Sequence, residues 1–176
     1  MPKALHISDR SVLVGYQQMI VKNLTECKNV LRGLIEKEDP MSLFAKCKYD
    51  KIGIEPLTGE DENIIEVINQ AQTYLVSLKA VEYLLDRYPA KEFIVNWGNI
   101  AGYDVESVDG TIIAEVFAAT SYRSNSKLTK DLKRLSDNKT AKIKFEFFHD
   151  KEFTPNHRTY YSEKYPGIEI VKFDSL

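Results

Sequence analysis

The stretch G-Y-D-V-E-S-V-D-G-T-I-I-A-E-V-F-A-A-T, residues 102–120, decides how this chain folds. Two apolar-rich runs flank Asp109-Gly110, and Asp-Gly is a preferred pair for a two-residue type I′ hairpin turn. With Asp109 and Gly110 at the turn centre, Val108 faces Thr111. Each step back along the first strand then matches a step forward along the second. Asp104 lands opposite Glu115, and Glu106 lands opposite Ile113 on the same face. Like charges directly opposite across a ladder are destabilising. Either both carboxylates lie on a wet outer face, or a divalent cation takes them, since hard cations such as Mg²⁺ prefer carboxylate oxygens. A one-residue bulge would shift the register and remove the pairing.

Working outward, E-F-I-V-N-W (Glu92–Trp97) is strand-like in composition, and K-I-K-F-E-F-F-H (Lys142–His149) and G-I-E-I-V-K-F (Gly167–Phe173) read as further strands. Polar helices are expected near Ser126–Ser136 and Asn156–Lys164. The first half is helical. Tyr16, Ile20, Leu24, Cys27, Leu31 and Leu34 form a stripe on a helix from about Ser11 to Lys37, stopped at Asp39-Pro40. A short helix follows at Met41–Cys47, and residues 49–59 read as loop. Thr58 and Asp61 resemble a capping box for a second long helix, whose stripe is Ile64, Ile68, Ala71, Leu75, Leu78 and Leu85. The order predicts an α+β, α/β/α-like protein with a mixed sheet of about five strands flanked by helices. A single domain over residues 1–176 is expected, helical to about residue 89 and sheet-containing beyond it.

Glu82 falls on the apolar stripe of the second long helix, four residues after Leu78 and three before Leu85. A Glu there needs a cation, a hydrogen-bond donor or an exit to solvent. Glu66, off the stripe, is the fallback. On the helix after the hairpin, Lys127, Lys130 and Arg134 make a basic stripe at i, i+3 and i+7. The ordinary alternative for each is a solvated helix face.

An acidic helix, a strand with Asp, a strand with Glu, a helix and another strand together resemble the PD-(D/E)XK nuclease superfamily over about Asn63 to His149. The resemblance implies a restriction-endonuclease-like core. It matches Asp104 to the family's first-strand Asp, Glu115 to its second acid and Glu82 to the acid on the preceding helix. It implies that these three bind Mg²⁺ or Mn²⁺, and that a metal-activated water attacks a DNA phosphodiester. The family's Lys two residues after the Glu is replaced by Phe117, so Lys127 or Lys130 would supply the missing charge. Arg123, Lys127, Lys130 and Arg134 would contact nucleic acid. The alternative is a catalytically inactive member acting as a binding or assembly module, with a homodimer through the N-terminal helices.

Composition bounds these readings. The chain carries a net charge of −2 and is 43% hydrophobic, as expected of a folded protein without a strongly basic surface. The charge is uneven: residues 1–120 hold 12 basic and 18 acidic residues, residues 121–176 hold 12 and 8. No stretch approaches the roughly 18 apolar residues of a membrane span. Without a signal-peptide pattern, and with Cys27 and Cys47 outside any C-x-x-C motif, a cytoplasmic protein with reduced thiols is expected. His149 and His157 do not have a zinc spacing. P-loop, G-x-G-x-x-G and G-x-S-x-G motifs are absent.

Overall fold

Strand β6 (Ile112–Ala118) is buried at every position but its last. Such a strand is covered on both faces, which is why its sequence does not alternate cleanly. It pairs antiparallel with β5 (Val105–Ser107), and β5 pairs antiparallel with β4 (Phe93–Asn96). On its other side it runs parallel to β7 (Ile143–His149), and β7 runs parallel to β8 (Glu169–Phe173). Parallel neighbours require a crossover, supplied by helix α4 (Lys127–Asp137) and then by α5 (Pro155–Lys164). Strand β1 (Ala4–Ile7) completes the sheet beside β4, giving the order β1-β4-β5-β6-β7-β8. The structure, a computed structural model, describes residues 4–97, 102–119, 121–150 and 152–175.

The remaining elements are helices α1 (Arg10–Lys37) and α2 (Pro40–Tyr49), the two-residue strands β2 (Gly53–Ile54) and β3 (Asp61–Glu62), and helix α3 (Ile64–Arg87). The chain divides into two compact units. Ser11–Tyr74 forms one; the chain through Arg10 and from Leu75 onward forms the other. In the first unit Cys27, Ile64 and Val67 form a small core with Leu24, Leu31, Cys47, Ile52 and Ile54. The Glu55 carboxylate is buried there and accepts hydrogen bonds from the Leu57 and Thr58 amides and the Tyr74 hydroxyl. Burial, then the hydrogen bond to Glu55, raises the Tyr74 phenol well above its ordinary pKa.

Several local expectations are corrected. The sheet has six strands, because β1 was not read. The stretch expected to be loop contains β2, paired with β3. Asp61 lies in β3 and does not cap α3. Asn63 precedes that helix, and its side chain accepts from the Glu66 amide at 2.9 Å. Ile68 is exposed, and Val67 and Tyr74 are buried in its stead, so the buried stripe is rotated from the one expected. Asp39 does more than stop α1: it caps α2, its carboxylate accepting from the Met41 and Ser42 amides.

The hairpin turn also differs. Only Gly110 has a positive φ, 69°, whereas a type I′ turn needs Asp109 there as well. Instead the Ser107 carbonyl accepts from the Gly110 amide. The Asp109 carboxylate collects the Ser107 and Thr111 hydroxyls, the Thr111 amide and the Lys91 ammonium, which hold its pKa low. A four-residue loop at 108–111 keeps the register of a two-residue loop. Val105 therefore pairs with Ala114 and Glu106 with Ile113, as the sequence predicts. Thr120, the expected end of the second strand, lies outside the described residues.

The two faces of the sheet are distinct. Ile113 and Phe117 of β6, Phe148 of β7 and Ile170 of β8 share a core with Leu128, Leu132 and Leu135 of α4. Phe145 and Phe147, at alternate positions of β7, face the other way, where the Tyr83 ring of α3 meets both edge-on.

Candidate functional site

Glu115 and Glu146 are the charged residues buried within the sheet, and both have zero exposure. They are direct partners across the parallel β6–β7 pair. Glu115 shares its sheet face with Ile113 and Phe117, and Glu146 shares its face with Phe148, so both lie under α4. Asp104 precedes β5 and continues the register that pairs Glu106 with Ile113. One Asp104 oxygen accepts from the Val116 amide at 2.8 Å, fixing this carboxylate against β6. Three neighbouring strands thus contribute one carboxylate each to one row, with Glu115 in the middle.

Helix α4 adds Asp131 from above. Lys127, Asp131 and Arg134 follow at i, i+4 and i+7 on one side of the helix, while Leu128, Leu132 and Leu135 enter the core. Lys127 donates to Asp131 at 2.8 Å. One Arg134 terminal nitrogen lies 2.7 Å from Glu115 Oε1, the other donates to the Gly102 carbonyl, and the guanidinium sits 4.8 Å over the Tyr103 ring. The Arg134 approach to Glu115 is an ion pair without aligned hydrogen-bond geometry. Among the described residues, no donor reaches either buried oxygen of Glu146, and the buried oxygens of Glu115 share a hydrogen bond with the Asp104 carboxyl alone.

The electrostatics follow from that geometry. Burial, then the charge of Asp104 and a hydrogen bond with it, pushes the Glu115 carboxyl up to about 8, against the pull of Arg134. Burial, then the charges of Asp131 and Glu115, raises Glu146 well above the carboxylate range. Asp131 is raised mainly by burial, with Lys127 opposing. For Lys127, burial pulls the pKa down. The hydrogen bond to Asp131 and the charges of Asp131, Asp104 and Glu115 outweigh it, and the net shift is upward.

The sequence-predicted residues divide cleanly. Asp104, Glu115, Lys127 and Arg134 come together. Glu82 does not: its carboxylate lies 3.9 Å from Arg10, and α3 covers the opposite face of the sheet from Glu115. Glu66 is exposed in the first turn of α3, within the other compact unit. Lys130 is exposed and lines an open depression of about 500 Å³ with Tyr103, Lys133, Arg134, Asp137 and Asn138. Arg123 is exposed, its Nε bonded to the Tyr122 hydroxyl at 2.8 Å and its guanidinium over that ring. Phe117, at the family's lysine position, is buried and stacked on Phe148 with ring centroids 4.9 Å apart.

Glu146 and Asp131 were missed from the sequence. Asp131 had a signal, since it follows Lys127 by one helical turn and shares its face. Glu146 had none, because the register between two parallel strands joined by a helix is not set by a turn.

The carboxylates suit a hard divalent ion, and the two buried Glu146 oxygens, without donors among the described residues, fit a cation's demand. As the side chains stand, however, no three acidic, His or Cys residues among those described are grouped closely enough to hold one. No helix among the described residues is long and apolar enough to cross a membrane. The chain matches no family model, no curated protein and no solved structure.

Proposed function

We propose that the chain is a nuclease-like protein with a restriction-endonuclease-like core, hydrolysing DNA phosphodiester bonds with Mg²⁺ or Mn²⁺. The observation that carries this reading is the meeting of Asp104 and Glu115 in an α-β-β-β-α-β unit (α3 to β7), with Lys127 of α4 facing the same site. Asp104 and Glu115 would hold the ion. Such an ion polarises a phosphoryl oxygen and lowers the pKa of a bound water.

The other groups have roles that follow from their charge states. Lys127 keeps its proton because Asp131, Asp104 and Glu115 surround it. It therefore serves as a fixed positive charge beside the scissile phosphate and not as a base. Its side chain is 41% exposed, so a substrate can reach it. Arg134 is 47% exposed and holds Glu115 from one side only. Freed from Glu115, it would pair with a phosphate, two of whose oxygens match the planar guanidinium fork. Lys130, Lys133 and Arg134 line the adjoining depression, with Asp137 the one acid among its described lining residues, and would extend phosphate contact along a nucleic-acid backbone. Plasmid nicking in Mg²⁺ or Mn²⁺, compared between the wild type and Glu115→Ala, tests the reading. Equal nicking by both proteins, or none by either, refutes catalysis.

One observation favours a second reading, an inactive protein of the same architecture that binds or assembles. Phe117 is a core residue stacked on Phe148, so the position that carries the family's lysine serves packing here. Exposed Val14, Met19, Val21 and Ile35 of α1 and Met41 and Phe44 of α2 would suit a homodimer. Light scattering that returns a clean monomer refutes the homodimer. Mn²⁺ binding that Asp104→Asn weakens favours the first reading over the second.

A further inference from the structure

Glu146 has no part in the mechanism above, and its situation requires a partner. It is fully buried, neither of its oxygens has a donor among the described residues, and its immediate neighbour across the sheet is the equally buried Glu115, which meets Arg134 and Asp104. An unpartnered buried carboxylate costs several kcal/mol when ionised, so a group of this kind is retained neutral or is paired with a cation. The positive groups facing it do not serve. Lys127 is bound to Asp131, and Arg134 reaches Glu115 and the Gly102 carbonyl. The β-branched or aromatic residue that usually fills such a central strand position would pack better, as Phe148 does two residues later on the same face.

We infer that Glu146 is a third ligand for the divalent cation, completing with Glu115 and Asp104 a row of carboxylates across β5, β6 and β7. This rests on the metal-dependent reading above and extends it to Glu146, a residue to which the resemblance assigned no role. Neighbouring strands lie about 4.8 Å apart, so side chains at paired positions on one face can share an ion between them. Among the described residues no three such groups converge as the side chains stand, and Arg134 bridges Glu115 to the Gly102 carbonyl. Release of Arg134 frees Glu115 to turn toward Glu146. Asp131, one of whose oxygens is also buried without an aligned donor among the described residues, stays with Lys127 and balances its charge.

The test is calorimetric titration of Mn²⁺ into the metal-stripped full chain, for the wild type, Glu146→Gln and Asp104→Asn, with thermal melts of each protein with and without Mn²⁺. Gln has nearly the shape of a protonated Glu, so Glu146→Gln keeps the fold, which its metal-free melt reports. The expected result is at least tenfold weaker Mn²⁺ binding for Glu146→Gln, with loss of the Mn²⁺-dependent rise in Tm. Asp104→Asn should weaken binding likewise. Wild-type affinity in Glu146→Gln beside weakened Asp104→Asn overturns the role of Glu146 and leaves the two-carboxylate reading standing. Absence of Mn²⁺ binding by the wild type overturns both.

Discussion

Replacing Glu115 by Gln should change how stability depends on pH, in a direction set by its surroundings. An unfolded Glu loses its proton near 4.5, whereas folded Glu115 keeps it to about 8. Between those values the folded chain binds the extra proton, so stability falls as pH rises, by up to about 1.4 kcal/mol per pH unit for this group. Below about 4.5 the effect vanishes because both states are protonated, and above about 8 it vanishes because both are ionised. From pH 5 to pH 8 the loss is therefore on the order of 3–4 kcal/mol, a large part of an ordinary domain's stability. Glu146 and Asp131 are raised as well and act in the same direction, while Asp109 is lowered and acts only in acid. Urea unfolding in EDTA, followed by circular dichroism, measures the slope. The wild type should lose stability steadily from pH 5 to pH 8, and Glu115→Gln should remove the contribution of Glu115, leaving the shares of Glu146 and Asp131. A wild-type stability that is flat or rises over this range would refute the buried, donor-poor environment assigned to Glu115. So would an unchanged slope in the variant.

Other substitutions probe the same architecture. Phe117→Ala empties a stacked position between β6 and α4 and should cost about 3–5 kcal/mol in denaturant unfolding, without bringing any new charge to the site. Arg134→Ala removes the internal cation at Glu115 and should tighten Mn²⁺ binding several-fold in calorimetry, while weakening any binding of single-stranded DNA in a salt-dependent way. Glu55→Ala strands the Leu57 and Thr58 amides and the Tyr74 hydroxyl, and should destabilise the 11–74 unit by roughly 3 kcal/mol, visible as earlier loss of helix signal on heating. Gly110→Ala places a Cβ at φ 69° with open space around it, so conformation alone sets its cost, about 1 kcal/mol in the melting curve.

Local rules carried the sequence reading far in some places and not in others. The β5–β6 register was legible because one short turn fixes it, and it survived a mistaken turn type because both loop lengths give the same pairing. That register brought Asp104 and Glu115 together on paper, and helical spacing put Lys127 and Arg134 on one side of α4. Glu82 went astray because an apolar stripe says that a helix packs, not which face of the sheet it packs on. In this protein α3 meets Phe145 and Phe147 while the acids lie under α4. Glu146 escaped notice because parallel pairing depends on a crossover whose register no residue pair announces. Strand β1 was too short to show a period.

That short strand bears on how the protein comes together in time. The Val108–Thr111 loop closes the β5–β6 hairpin at little entropic cost. The β1–β4 pair must close a loop of about 85 residues, for which the length-dependent term reaches about 4 kcal/mol. About three quarters of that loop is the 11–74 unit, which has its own core and can order first, shortening the effective gap. The hairpin and its parallel neighbours then form the early scaffold, and β1 docks last on an exposed edge through four residues. Amide hydrogens shared between β1 and β4 should accordingly exchange with solvent fastest in the sheet, and those between β6 and β7 slowest.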